Sequence, residues 1–278
     1  FRIVFVPGLK NRFLRKVLML SFALSQILKS RSDIVYARDL PGAMAAALLR
    51  RPVIIELHAI PVRKVGKRLL GFLLNRETVC RVVCISNALA LAIKQEYQAG
   101  SDKILVAHDG ACCDPNPVTS MRPLSPESRF RAGYFGSLND GKGVEVIIEL
   151  ARICPWVDFE IFGGSSAEIN RWREKNPLSV NVRFHGYFDH AKISPMLHSV
   201  DAVLLPNQQQ VRPHGNIGDI GSWTSPLKMF EYMAAGVAVV ASNFPLWEEL
   251  IEGNDCGLCV DPLAPQEIAE AVSKLCNN

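Results

Sequence analysis

The sequence predicts an α/β protein built from two doubly wound domains in tandem, and three observations carry that reading. Short Val- and Ile-rich runs alternate with longer helical patterns along nearly the whole chain, which implies parallel sheets covered by helices. At 278 residues the chain exceeds what a single core usually organises. The alternation is broken once, after Gly110, by the turn-rich stretches Ala111-Cys-Cys-Asp-Pro-Asn-Pro117 and Met121-Arg-Pro-Leu-Ser-Pro126, which read as a hinge. Domains are therefore expected over 1–115 and 126–278.

In the front domain, 2–6, 34–38, 53–59, 81–86 and 103–107 read as strands with helices between them. In the rear domain, strands are expected near 129–136, 157–162, 180–185, 202–206, 238–242 and 257–260. Helices are expected there near 143–154, 165–175, 189–199, 225–235, 245–252 and 265–276. Sheets of this kind bind ligands outside the carboxyl ends of their strands, so two facing sheets would place a site in the cleft between them. The chain opens on Phe1 and not on Met, and the front domain shows five strands, which together point to a fragment lacking a first strand and its loop.

Composition narrows the class. Apolar residues make up 49% and charged residues 21%, so the chain can bury a substantial core and disorder is excluded. Residues 1–115 hold 18 Lys and Arg against 8 Asp and Glu, so the net charge of +4 conceals a basic front domain and an acidic rear one. A basic domain suits an anionic partner such as a membrane surface, a phospholipid or a nucleic acid, and equally a solvated basic surface. Nucleic acid is disfavoured because the basic residues lack aromatic interleaving and any recognised motif. Of eight cysteines, Cys80, Cys84, Cys154 and Cys259 sit in apolar runs, as free thiols of a reduced, cytoplasmic protein do. Cys256-Gly-Leu-Cys259 has the CxxC spacing but no second pair or His partner, and leads into a strand. The apolar run from Val17 to Leu28 follows Arg12, Arg15 and Lys16 yet is too short to span a bilayer, so an amphipathic or buried helix is preferred.

The strongest local signal is Thr224-Ser-Pro-Leu-Lys-Met-Phe-Glu-Tyr-Met-Ala-Ala-Gly236 before a buried strand. Ser225 suits an N-cap, Pro226 the first helical position and Gly236 the C-terminal stop. A helix start with free N–H groups binds phosphate, and Lys228 puts a cation in the first turn, where a helix ordinarily favours an anion. A bound diphosphate would reconcile that mismatch. Glu231 lies six residues past Ser225, roughly 9 Å along the axis, on the face of Leu227 and Ala234, an expensive place for a carboxylate. It would be rewarded by accepting both hydroxyls of a ribose; the alternative is a partly exposed glutamate paired with Lys228.

A second signal is Gly133-Tyr-Phe-Gly-Ser-Leu-Asn-Asp-Gly-Lys-Gly143, where a strand ends in a glycine-rich turn that enters a helix. Its glycines permit close backbone approach to phosphate and Lys142 would neutralise charge there, although the run matches neither common nucleotide-binding pattern. Phe162-Gly-Gly-Ser-Ser166 and Phe184-His-Gly-Tyr187 follow strands at the same edge, and Ile54-Ile-Glu-Leu-His58 puts His58 at a strand end, where histidine is more often structural than catalytic. No Asp-x-Asp pair occurs to cradle a divalent metal on a sugar nucleotide.

In this order the pieces resemble the retaining GT-B glycosyltransferases of family 4 (glycosyl transferases group 1), in which two Rossmann-like domains face each other across a cleft. The likeness runs through Val35-Tyr-Ala-Arg38, Glu56-Leu-His58, Val83-Cys-Ile-Ser86, Lys103-Ile-Leu-Val106 with Asp109-Gly110, Gly133-Tyr-Phe-Gly136 with Lys142-Gly143, and Ser225 to Gly236. The resemblance implies that Glu231 binds ribose, Lys142 the diphosphate and His58 the donor sugar. It implies further that Ser225, Pro226, Leu227 and Lys228 meet the diphosphate through the helix start, that Gly136, Ser137 and Gly164 line the donor site, and that Tyr187 lies near the base. Two departures stand out: Trp223 occupies the position eight before Glu231 where a second glutamate is usual, and Ser137 replaces an arginine. Asp219, Arg212 and His214 in the long insertion from Asn207 to Ser222 are candidate substitutes.

The implied activity is metal-independent transfer of a sugar, with retention, from a nucleotide-diphosphate sugar to a glycan, lipid-linked or small-molecule acceptor, with peripheral contact at the cytoplasmic membrane face through the basic domain. No cofactor or metal is expected beyond the donor substrate itself. The alternatives are a binding protein of the same architecture without turnover and a sugar-nucleotide epimerase.

Overall fold

The computed structural model describes residues 12–30, 33–112, 129–189, 192–208 and 225–277. The expected first strand, most of the hinge and of the long insertion, and Trp223 lie outside the described residues. The chain divides into two units, 1–108 and 109–278, each with its own sheet.

In the front unit four parallel strands stand in chain order: β1 (Val35–Ala37), β2 (Val53–Leu57), β3 (Val79–Cys84) and β4 (Ile104–Val106). Helix α1 (Arg12–Ser30) precedes β1, and α2 (Leu40–Leu48), α3 (Lys64–Leu74) and α4 (Asn87–Tyr97) connect the strands. Capping sets the starts of two helices: Asp39 accepts the Gly42 amide at 2.7 Å and Ser86 accepts the Leu89 amide at 3.1 Å. Alternation along β2 buries Val53, Ile55 and Leu57 on one face and leaves Ile54 and Glu56 on the other. The run from Val17 to Leu28 lies within α1, and no helix among the described residues is long and apolar enough to cross a membrane.

The rear unit has six parallel strands: β5 (Phe130–Phe135), β6 (Val157–Phe162), β7 (Val182–Gly186), β8 (Ala202–Leu205), β9 (Ala238–Ser242) and β10 (Gly257–Val260), in the order β10-β9-β8-β5-β6-β7. The chain thus winds outward from β5 to β7, then returns and winds the other way from β8. The switch falls between β5 and β8, where their carboxyl ends leave a crevice. Helices α5 (Val144–Ile153), α6 (Ser166–Lys175), α7 (Ile193–Leu197), α8 (Leu227–Ala234), α9 (Pro245–Trp247) and α10 (Pro265–Cys276) complete the unit. One core joins Phe159 and Ile161 to Ile147, Leu150 and Val272; the other joins Phe135, Val203 and Val239 to Met229, Tyr232 and Trp247.

The sequence places α8 two residues too early. Pro226 holds the N-cap position in extended conformation (φ −78°, ψ 121°) without a side-chain cap, so Ser225 precedes the cap and Pro226 lies outside the first turn. The stop is as expected, with Gly236 left-handed at φ +68°. The expected 245–252 helix is divided, because α9 runs directly into a π-helical turn over Glu248–Glu252.

Two carboxylates of β6 are buried on the second face and paired across the sheet. Asp158 meets Arg129 at 2.9 Å, while Glu160 meets Arg183 at 2.8 Å and His185 at 2.5 Å. Pairing of this kind is what allows charge at a sheet edge to be enclosed.

The left-handed glycines separate two kinds of constraint. A Cβ on Gly236 would meet nothing within 4 Å, whereas one on Gly143 (φ +84°) would lie 2.0 Å from the Pro206 carbonyl oxygen. Gly236→Ala is expected to cost about 1–2 kcal/mol, the strain of the left-handed region alone. Gly143→Ala should cost distinctly more, because β8 and the turn after β5 must separate; urea denaturation of both variants measures the difference.

Candidate functional site

The crevice at the β5/β8 switch collects most of the residues singled out above. After β5 the chain turns through Gly136 and Ser137, and three bonds pin it: the Tyr134 hydroxyl donates to Ser137 O at 2.7 Å, the Gly136 amide to Phe162 O at 2.9 Å, and the Trp172 indole to Leu138 O at 3.1 Å. Gly163 packs so closely that its Cβ would fall 1.9 Å from the Gly136 carbonyl oxygen. The turn then delivers Lys142 and enters α5 at Gly143.

Lys228, in the first turn of α8, points back at this turn. Its Nζ lies 4.6 Å from the centre of the Tyr134 ring, and a Cβ on Gly136 would come within 3.1 Å of it. A side chain at position 136 would crowd both the Tyr134 hydroxyl at 3.0 Å and this ammonium. Burial, and then the charge of Lys142, push the Lys228 pKa down to about 7; burial also lowers that of Lys142. No carboxylate pairs with either lysine among the described residues. The amides of Leu227 and Lys228 open the helix, where no intrahelical acceptor exists for them. Just before them, the Ser225 Oγ is buried without a hydrogen-bond partner. Two cations, a helix N-terminus and an unused hydroxyl form an anion site.

Beside it opens a cavity of about 490 Å³ lined by Phe135, Gly136, Ser137, Gly164, Tyr187 and Ile193, among others. Two of its lining rings are stacked, Phe135 on Phe162 at 4.5 Å between ring centres, and Phe162 also stacks on His185 at 4.4 Å. Tyr187 is 80% exposed at the mouth. A flat apolar group fits such a slot.

Glu231 sits one turn beyond Lys228, half-buried. Its face is not the expensive one expected from the sequence. The buried side of α8 carries Met229, Phe230 and Tyr232, and Leu227 on Glu231's side is 58% exposed.

His58 belongs to the front unit and is held there by residues that motif reading quoted but gave no task. Its Nε2 lies 2.5 Å from Glu56 Oε1, the Arg38 Nε lies 3.0 Å from the same oxygen, and the Tyr36 hydroxyl donates to Oε2. The usable signal was the paired i, i+2 spacing, Tyr36-x-Arg38 beside Glu56-x-His58, on neighbouring strands. Burial pushes the Glu56 pKa up, but its hydrogen bonds from Tyr36 and His58 and the Arg38 charge outweigh that, and the net direction is down. Cys259 is a poor metal ligand or nucleophile, because burial and then Glu252 and Glu248 push its thiol up to about 12.

With this geometry in place, residues 129–278 match the family model described as Glycosyl transferases group 1. The chain belongs to that family. Among curated relatives, a glycogen synthase of Mycobacterium tuberculosis is 27% identical over 261 residues, covering 86% of this chain and 58% of the relative. An uncharacterized glycosyltransferase of Methanocaldococcus jannaschii, MJ1607, is 22% identical over 274 residues, 87% of this chain and 66% of its own length. The group 1 chain thus spans well under two thirds of the glycogen synthase. Among solved structures, Anabaena Alr3699/HepE in complex with UDP aligns at TM-score 0.70 and 22% identity, covering 96% of this chain and 75% of that one. A glycosyltransferase from Rickettsia africae aligns at TM-score 0.73 and 18% identity, covering 99% and 74%. The fold of this group 1 chain is accordingly that of the GT-B glycosyltransferases, with parallel sheets in both units.

The depressed Lys228 carries a stability signature. Between about pH 7 and pH 10 the unfolded chain holds a proton there that the folded chain does not, so stability rises with pH across that window. Below pH 7 the folded protein bears the full penalty of the enclosed ammonium. Lys228→Met should therefore stabilise the unliganded protein by at least about 1 kcal/mol at pH 6. The gain should shrink toward pH 10, as chemical denaturation at the two pH values would reveal.

Proposed function

We propose that this protein transfers a glycosyl group from a nucleotide-diphosphate sugar to an acceptor, with the nucleotide held wholly by the rear unit. The observation that carries this reading is the pair Lys142 and Lys228 near the start of α8, which no carboxylate among the described residues pairs. An anion between them would favour the charged form of both. The diphosphate would lie there against the Leu227 and Lys228 amides and the Ser225 hydroxyl, the base in the cavity over Phe135 and Phe162, and the ribose hydroxyls on Glu231. UDP in the HepE structure makes a uridine nucleotide the first probe.

Cleavage of the anomeric bond leaves negative charge on the departing diphosphate. Lys142, Lys228 and the helix N-terminus would stabilise that charge as it develops, the part a divalent metal plays elsewhere, and His58 would meet the donor sugar. Retention of configuration is carried over from the family resemblance. The binding-only alternative draws on one fact, Trp223 at the position of a usual glutamate; product formation from a labelled donor separates the two readings.

Calorimetry with UDP in the presence of EDTA tests the donor site. Lys228→Met and Glu231→Ala should each weaken binding tenfold or more, since each removes charge-assisted contacts of about 1.5–3 kcal/mol. Because Lys228 must be protonated to hold the anion, affinity should also fall as pH rises above 7. Metal-dependent binding, or a Glu231→Ala variant of unchanged affinity, would contradict the assignment.

The acceptor side is proposed to meet an anionic membrane surface through α3, where Arg63, Lys64, Lys67 and Arg68 surround Val62 and Val65, each 77% exposed. Co-sedimentation with vesicles containing phosphatidylserine should exceed that with neutral vesicles, and reversing Lys64 and Lys67 to Glu should abolish the difference. Equal binding to both vesicle types would speak against this surface.

A further inference from the structure

The group that positions His58 is a half-buried carboxylate near the end of β2, two residues before it. β1 and β2 run parallel with Tyr36 beside Ile54 and Ala37 beside Ile55, so Tyr36, Arg38, Glu56 and His58 all project from one face of the front sheet. Glu56 is the enclosed member, its side chain 16% exposed against 65% for Arg38 and 35% for His58. Both of its oxygens are engaged: Oε1 by His58 Nε2 at 2.5 Å and Arg38 Nε at 3.0 Å, Oε2 by the Tyr36 hydroxyl.

This arrangement decides which nitrogen of His58 carries the proton. An ionised carboxylate only accepts, so Nε2 at 2.5 Å from Oε1 must donate; two acceptors cannot share that distance. Arg38 Nη2 stands 2.8 Å from the same Nε2 and offers a competing donor, but the Glu56 oxygen is nearer at 2.5 Å, and the Tyr36 hydroxyl anchors the other oxygen of that carboxylate. The carboxylate therefore sets the tautomer. Nδ1 is left as the acceptor of the neutral ring, and no hydrogen bond reaches it among the described residues.

We propose that Glu56 is a positioning residue that locks His58 as the Nε2–H tautomer, so that Nδ1 accepts a hydrogen bond from a sugar hydroxyl, with Tyr36 and Arg38 holding the carboxylate in place. The assignment rests on the reading above that His58 meets the donor sugar. It gives a task to the two residues that motif reading left idle. Tyr36 and Arg38 work through Glu56, and Glu56 works through His58.

The test uses the full chain labelled with ¹⁵N-histidine, with Glu56→Gln and Glu56→Leu as the main variants, Tyr36→Phe as a milder one and His58→Ala to assign the signal. Long-range ¹H–¹⁵N spectra at a pH where the ring is neutral should show His58 protonated at Nε2 in the wild type and in Tyr36→Phe, and a mixture of tautomers in Glu56→Leu. Sugar transfer should fall roughly 10-fold to 100-fold in kcat/KM for Glu56→Leu, the range typical of a lost orienting group behind a functional histidine. UDP affinity should not change, because UDP lacks the transferred glycosyl group that His58 would meet. The Glu56→Leu/His58→Ala double variant should be no worse than His58→Ala alone. An unchanged tautomer in both Glu56 variants, or additive losses in the double variant, would overturn the proposal. Failure of the wild type to bind UDP would instead refute the donor-site reading, and the tautomer measurement would still judge Glu56.

Discussion

Two lysines close enough to feel each other's charge, with no carboxylate among the described residues pairing either, are the constraint around which the rear unit's carboxyl edge is arranged. Burial strips water from Lys228, Lys142 adds like charge, and the Tyr134 ring offers weak compensation. Everything near them accommodates this: Gly136 leaves room for Nζ, Gly143 lets the turn touch β8, and α8 aims its N-terminus, not its C-terminus, at the pair. Such a cluster costs stability in the empty state, and the proposed diphosphate would offset that cost.

The front unit solves the opposite problem with the opposite chemistry. There the enclosed charge is a carboxylate, and three donors surround it, so Glu56 stays ionised and rigid. The rear unit's β6 follows the same rule, with Asp158 and Glu160 each met by cationic partners from neighbouring strands. Asp158 and Glu160 are thus held by neighbouring cations, whereas no carboxylate among the described residues pairs Lys142 or Lys228.

Strand and helix positions were legible because hydrophobic periodicity is strong in a doubly wound sheet: β6, β9, β10 and α10 fall where the Val- and Ile-rich runs and the helical pattern put them. The start of α8 was misjudged by reading Ser-Pro as cap and first turn, a local preference that tertiary packing overrode by holding Pro226 extended. Glu231's surroundings were misjudged for a related reason, since helical spacing tells which residues share a face but not which face meets the core. The pair Glu56 and Tyr36 was invisible as chemistry, because strand register joins residues twenty positions apart and no linear motif records that contact. The aromatic stack at the cavity was hidden likewise, its three rings coming from three separate strands.

The approach of Gly163 to the Gly136 carbonyl ties two loops that are distant in sequence. A side chain at position 163 would have to displace the Gly136 turn. Backbone in one loop is thereby held by backbone in the other, while side chains that line the slot, such as Tyr187 and Ile193, stand outside that contact.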